Sequence, residues 1–284
     1  DKKIVEVLPS RRKYDLPNYS MLTPLEERKK LKYVPFDMWE TYRIVVKHVF
    51  PDACCITDHF HVIQELTRRV DRVRIRVQNR FRKTINTLKP KKNNKTITSE
   101  ELIELEEASR YYYVLKKFNW LLFSTNKKIL DVNVDRKFNR TLNRYLNYSE
   151  ILDFMLAIDD ELEDAFYLRN DVTYFYDHCT YDTAKKQLEK IIIDFRSSPI
   201  AEMSPFANTL TNWKKEIINS FIIVDDKANR KMNTAIVENR NKSIKLIKHA
   251  SNGYLNWERF RNRILYTLNE DTTFYYTSIR KDGK

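Results

Sequence analysis

Gly253 and Gly283 are the only glycines in 284 residues. Glycine enters the positive-φ region without steric penalty, so tight turns and two-residue hairpins have few places to form in this chain. The sequence is pushed toward helices joined by loops of Asn, Asp and Pro. Material for a core is present, since 42% of residues are hydrophobic and 13% aromatic. A chain of this length makes one large domain or two ordinary ones.

Hydrophobic spacing divides the chain. "KIVEVL" (3–8) alternates and predicts a strand. "TPLEERKKL" (23–31) predicts a short helix with Thr23 as N-cap, Pro24 at the first position and Glu26 three residues after the cap. "KYVPF" predicts a strand ending at Asp37, and "ETYRIVVKHVF" a helix stopped by Pro51. "ACCIT" predicts a short buried strand ending at Asp58. Alternating strands and helices over sixty residues signal an α/β layer.

The period then changes. Val62, Leu66, Val70, Val73, Val77, Phe81, Ile85 and Leu88 follow steps of three and four, predicting a helix ~40 Å long at 1.5 Å per residue. Arg68, Arg69, Arg72, Arg76, Arg80, Arg82 and Lys83 fall mostly off that stripe. "KPKKNNKT" (89–96) reads as a solvated loop, and Thr98 with Glu101 as a capping box opening the next helix. Helical signals continue to about Phe221, with no defined pattern over 124–148. Ser149 and Asp182 read as N-caps, Pro199 and Pro205 as breaks, and "RYYYVLKKFNWLLF" as core rather than a base-stacking surface. A last helix, "NTAIVENRNKSIKLIK" (233–248), has Val237, Ile244 and Ile247 at helical spacing. The expected organisation is an α/β layer at 1–62, a helical insertion at 63–227 with a basic first helix, and a final helix and tail at 228–284. The whole is predominantly helical.

Charge narrows the function. The net charge is +13, and residues 61–95 carry 12 basic against 2 acidic side chains, whereas 96–215 carry 16 against 20. Such concentration points to nucleic acid or an anionic surface. No apolar run approaches the 18 residues of a membrane span. Cys54, Cys55 and Cys179 make neither a disulfide framework nor a zinc pattern, which fits the reducing cytoplasm.

No phosphate-binding glycine loop occurs, and no motif supports a Ser or Cys nucleophile. His59 and His61, two apart, do not share a helical face and have no Cys or third His nearby for zinc. Acids remain. Asp37 and Asp58 follow short buried strands, where α/β folds gather their sites, although an Asp in that place also serves as a helix cap. Glu238 is the single acid among Arg240, Lys242, Lys245 and Lys248, and it suits either a helical ion pair with Lys242 or a metal. Acids surrounded by basic helices suit phosphodiester chemistry, in which two divalent metals ~3.5–4 Å apart serve the attacking and leaving oxygens. Hard Mg²⁺ (or Mn²⁺) takes carboxylate and water oxygens.

"FDMWETYR…VFPDACCITDHFHVIQELTRRVDRVR", followed about 180 residues later by "VENRNKSIKLIKHASNGYLNWERFRNRIL", resembles the DDE transposases of the ISL-three insertion-sequence group over nearly the whole chain. The resemblance implies an RNase H-like catalytic core with a helical insertion, of which residues 1–284 are expected to hold a partial core, and a bacterial, cytoplasmic enzyme that cuts and joins double-stranded DNA at insertion-sequence ends with Mg²⁺ or Mn²⁺. It makes Asp37 the second catalytic acid and metal ligand, Glu238 the third, and Asp58 a further candidate ligand. The spacing of Arg68, Arg69, Arg72, Arg76 and Arg80 along the helix surface makes them the expected phosphate contacts to DNA, while the resemblance makes Lys242 and Lys245 DNA-facing, with Asn233 and Asn241 in support, and a second copy of the chain is a further expected partner. "MNT" replaces the family's usual Ser-Asn-Gly before the glutamate. The family's first acid lies ahead of the strand matching "KIVEVL", so residues 1–284 are expected not to cut DNA alone. A non-catalytic DNA-binding or regulatory role is the alternative.

Overall fold

The computed structural model describes residues 3–269 apart from 5, 11, 13, 22, 226–229, 232 and 233. The chain forms two compact units. Asp1–Asp58 and Ile223–Lys284 make one, and His59–Ile222, between them in sequence, makes the other.

The first segment runs α1 (Asp15–Ser20), α2 (Leu25–Lys29), β1 (Tyr33–Phe36), α3 (Glu40–Val49) and β2 (Cys54–Thr57). β1 and β2 pair in parallel from Tyr33↔Cys54 to Phe36↔Thr57, the strand–helix–strand order that the spacing predicts. Val45 and Val49 of α3, one turn apart, pack on Leu16 of α1, with Leu8, Tyr42 and Phe50 against the cluster. Arg28 donates to the Val49 carbonyl at 2.7 Å, satisfying one of the acceptors left open where α3 ends. Two expectations fail in this segment. The N-cap of α2 is Pro24, not Thr23, and no side chain caps it. No described residue of 3–8 is in a strand. Instead the Ile4 N–H donates to Asn269 Oδ1 at 2.8 Å, and Asn269 Nδ2 donates to the Ile4 carbonyl at 3.0 Å. One amide side chain thus satisfies the two backbone groups that a neighbouring strand would have met.

The intervening unit opens with α4 (His59–Asn93), a helix of 35 residues. Its buried stripe contains Val62, Leu66, Val70, Val73, Val77 and Leu88, as the period predicts. The helix continues through Pro90 where the sequence suggested a loop. Asn86, Lys89 and Pro90 are exposed, so the Asn86 carbonyl that loses its partner at proline faces water. α5 (Ser99–Lys117) starts at the predicted Thr98–Glu101 capping box. Then follow a short 3₁₀ turn (Asn119–Phe123), β3 (Lys137–Asn139), β4 (Arg144–Leu146), α6 (Tyr148–Leu156), α7 (Asp160–His178), α8 (Tyr181–Ser197), α9 (Phe206–Asn212) and α10 (Lys214–Asn219). The cap of α6 is Asn147 rather than Ser149, and that of α8 is Thr180 rather than Asp182. Phe175 and Phe221 meet edge to face at 4.9 Å, and Phe195 meets Phe206 at 5.2 Å, in the centre of this unit.

The chain returns to the first unit as β5 (Ile223–Asp225), β6 (Arg230–Lys231), α11 (Ala235–Ala250) and α12 (Trp257–Leu268). Asn252 and Gly253 turn the chain between the last two helices at φ +51° and +97°. Asn143 and Lys95 also take positive φ, so non-glycine residues occupy left-handed turns, as the shortage of glycine requires.

Candidate active site

The parallel register ends at Phe36↔Thr57, and the next residues on the two strands are Asp37 and Asp58. The Asp58 N–H donates to the Phe36 carbonyl at 3.4 Å, carrying the ladder to that point. The two acids differ in environment. Asp37 is exposed, and its carbonyl accepts from Trp39 N at 2.6 Å in the turn into α3, whose N-cap is Trp39. Asp58 is 3% exposed.

Asp58 holds the start of a helix far from it in sequence. Its Oδ2 accepts from the Thr234 N–H at 2.8 Å and from the Thr234 hydroxyl. Thr234 is the N-cap of α11, 176 residues away. A carboxylate suits the positive end of that helix dipole. Thr234 is itself buried, so its two donors would be costly to leave unmade. The same hydroxyl lies 3.3 Å from Glu238 Oε1, in the first turn of α11. A hydroxyl carries one proton, and the closer Asp58 takes it. Glu238 is therefore touched by this network without being strongly bound by it, and its side chain is half-buried.

Lys242 and Lys245 lie one and two turns beyond Glu238 on the same helical face, and both are exposed, as is Asn241. Val237, read from its spacing as part of an apolar stripe, is exposed instead. Asn233 lies outside the described residues.

The arginines of α4 divide into two sets. Arg76 donates to both oxygens of Glu202, at 2.8 and 3.0 Å, and to Glu161 at 2.5 Å. The hydrogen bonds it donates to Glu202 raise the Arg76 pKa above the ordinary guanidinium value against the effect of burial. In return Arg76 holds the Glu202 carboxyl below its usual range, although burial opposes this. Arg80 pairs with Asp159. Arg69 binds Glu65 at 3.1 Å and the Glu202 carbonyl at 2.9 Å, and lies over the Phe206 ring. These three hold α4 to the rest of its unit. Arg72, Arg82 and Lys83 are exposed and, with Arg76, line a shallow cleft along α4. Arg68 is also largely exposed, 3.7 Å from Glu65. Sequence reading passed over Arg74, a buried cation that donates to Asp71 and to the Leu115 carbonyl, joining α4 to α5. The signal was its place next to Val73 on the buried side of the helix.

Among the described residues no three His, Cys, Asp or Glu side chains gather as a metal cage. The acids present offer hard oxygen donors, which suit Mg²⁺ or Mn²⁺, ions commonly held by one or two carboxylates completed by water and substrate phosphate. No described helix is long and apolar enough to cross a membrane.

A family model for the DDE transposases of the ISL3 group, described as "Transposase", matches residues 1–264. The chain is similar to the transposase for insertion sequence element IS1001 of Bordetella parapertussis, with 24% identity over 260 residues. That alignment covers 91% of this chain and 53% of the relative, so the chain spans about half the relative's length. No solved structure matches.

Proposed function

Because the chain belongs to the ISL3-group DDE transposases, we propose that it takes part in cutting insertion-sequence ends and joining them to target DNA. In this reading β1, β2 and α3 belong to an RNase H-like layer, α11 is its final helix, and Asp37 and Glu238 are catalytic carboxylates. The observation that carries it is the hydrogen-bonded link from Asp58 to Thr234. It joins the carboxyl end of β2, next to the strand that ends at Asp37, to the start of the helix bearing Glu238. A bland helix ion pair would need no such link between distant segments.

Asp37 and Glu238 would hold Mg²⁺ or Mn²⁺. When bound, the metal supplies positive charge at the phosphate oxygens and lowers the pKa of an attacking water or hydroxyl. Asp58, with one oxygen already taken by Thr234, serves to fix the start of α11 and so to orient Glu238. Lys242 and Lys245 hold phosphates on the face of α11 that Glu238 shares. On α4, Arg68, Arg72, Arg82 and Lys83 meet duplex phosphates, while Arg69, Arg76 and Arg80 keep the helix in place. The work is done in the cytoplasm, and a second copy of the chain is its natural partner where two transposon ends are joined.

The test is metal-dependent cleavage of insertion-sequence-end DNA by the full reading frame containing this chain. Asp37→Ala and Glu238→Ala should each lower cleavage by ~10³-fold, the several kcal/mol that metal-assisted charge stabilisation provides, with DNA binding retained. Undiminished cleavage by either variant would overturn the assignment. A second reading, DNA binding without catalysis, is favoured by the position of α4 in the unit that contains none of these acids. Salt-sensitive DNA binding with no metal-dependent cleavage would establish it.

A further inference from the structure

The stretch 124–148, where the sequence pattern defines no element, contains the antiparallel β3–β4 hairpin, with Phe138 opposite Tyr145. Leu142 in its turn is buried, and Asn139 Oδ1 accepts from the N–H groups of Thr141 and Leu142 at 3.1 Å each. At its far end Asn147 donates to the Val132 carbonyl at 3.0 Å while capping α6. The hairpin is thus fixed at both ends.

Between this hairpin, the end of α5 and the start of α6 lies a cleft of about 530 Å³, within the roughly 300–1,000 Å³ of small-ligand sites. Its walls include the rings of Tyr113, Phe118, Phe138 and Tyr148, and the cations Lys117, Lys137 and Arg140, against a single described acid, Asp135. Phe138 is 49% and Tyr148 41% exposed, more than rings that pack a core. Lys117 lies 5.1 Å from the Tyr113 ring centre and 5.6 Å from that of Phe118, so cation and ring faces are already interleaved. The surrounding charge is of opposite sign. Residues 136–144 carry four cations and no acid, inside a region, 96–215, with 16 basic and 20 acidic side chains.

Flat apolar faces bordered by positive charge bind nucleobases, which stack on the rings while cations take the phosphates. A paired base has both faces covered by its neighbours, so only a base out of the stack fits. We propose that this cleft receives an unpaired nucleotide of the DNA substrate, its base against Phe138 and Tyr148 and its phosphate on Lys137 and Arg140. The proposal rests on the reading that the chain binds DNA, and it adds a site for distorted or melted positions distinct from the duplex contacts of α4.

The experiment measures binding of the full chain to two duplexes, one perfectly paired and one carrying a single unpaired 2-aminopurine. Stacking of that base on a ring changes its fluorescence. The bulged duplex should bind about tenfold more tightly, in line with the stacking of one base, and its fluorescence should change on binding. Phe138→Ala should lower its affinity to that of the paired duplex. Lys137→Glu with Arg140→Glu, a change of two exposed side chains, should do the same. Equal affinity for the two duplexes, or a preference kept by both variants, would overturn the cleft assignment while leaving the DNA reading intact. Binding to neither duplex would overturn both.

Discussion

Among the described residues, side chains with almost no solvent exposure are plentiful between His59 and Ile222 and fewer in the unit that flanks it. The largest of them include Phe175, Phe195, Phe206, Leu66, Leu121, Leu122 and Leu188, and of the twelve largest among the described residues only Ile56 lies in the flanking unit. Beside its smaller apolar cluster, the flanking unit carries paired polar links between segments far apart in sequence: Asp58 with Thr234, Ile4 with Asn269, and Glu6 with Arg261. Apolar packing is distributed, so the intervening unit tolerates the loss of any one polar contact. A polar link is local, and its loss strands a buried donor or leaves a segment untethered. The acids proposed for catalysis belong to the second kind of architecture, where a small change in one side chain moves much of the site.

The comparison would break most visibly at Phe175. Phe175→Ala should destabilise the intervening unit by about 3–5 kcal/mol, through lost transfer energy and the cavity left behind. Hydrogen exchange should show protection lost across α7 and α8 but kept along β1 and β2. Uniform loss over the whole chain would mean that the two units unfold as one. Thr234→Val should follow, at about 2 kcal/mol, because it removes the hydroxyl from the buried Asp58 carboxylate. Its signature is faster exchange at the start of α11 with α4 unaffected.

Next in size is Glu202→Gln, at about 1 kcal/mol, a figure kept small because Arg76 is partly exposed. Arg76 holds the Glu202 carboxyl below its usual range. This pair's stability is therefore present above the unfolded-state carboxylate pKa and is lost as pH falls through the lower folded value. Acid titration of thermal stability should show a shallower acid limb in the variant. An unchanged limb would remove Glu202 from the account. Arg169→Met should have the least effect. Arg169 is buried, its Nε has no hydrogen-bond partner among the described residues, and burial lowers its pKa. An apolar chain of similar volume should be neutral or stabilising by up to about 1 kcal/mol, read as an unchanged or raised melting temperature.

What the sequence revealed and what it hid follow the same division. α4, the β1–α3–β2 order and the Thr98–Glu101 capping box were legible because each depends on residues within a few positions of one another. The alternating 3–8 stretch did not become a strand among its described residues, since strand formation depends on a neighbour, and Asn269 takes that place. Ser149 and Asp182 suit N-caps in isolation, yet Asn147 and Thr180 begin their helices earlier. The arginines of α4 were read as a surface because their spacing is visible, whereas the acids that engage Arg76 and Arg80 come from Glu161, Glu202 and Asp159, far along the chain. Asp58 was legible as a cap and as an acid at a strand end, but its partner Thr234 was not. Nothing local in either segment points to the other.

The Asp58–Thr234 link has a consequence for how such a chain can change over time. Asp58 is the last residue before the intervening unit, so the link closes a loop that contains all of it. Loop-closure entropy grows only with the logarithm of length, and a doubling adds about 0.6 kcal/mol. A clasp of this kind is nearly indifferent to how many residues it encloses, provided those residues fold among themselves. Helices could therefore be gained or lost between Asp58 and Thr234 with little penalty to the clasp, while a substitution at either residue of the clasp would be felt at once. Length variation among related chains should concentrate inside the loop, and sequence constraint at its two ends.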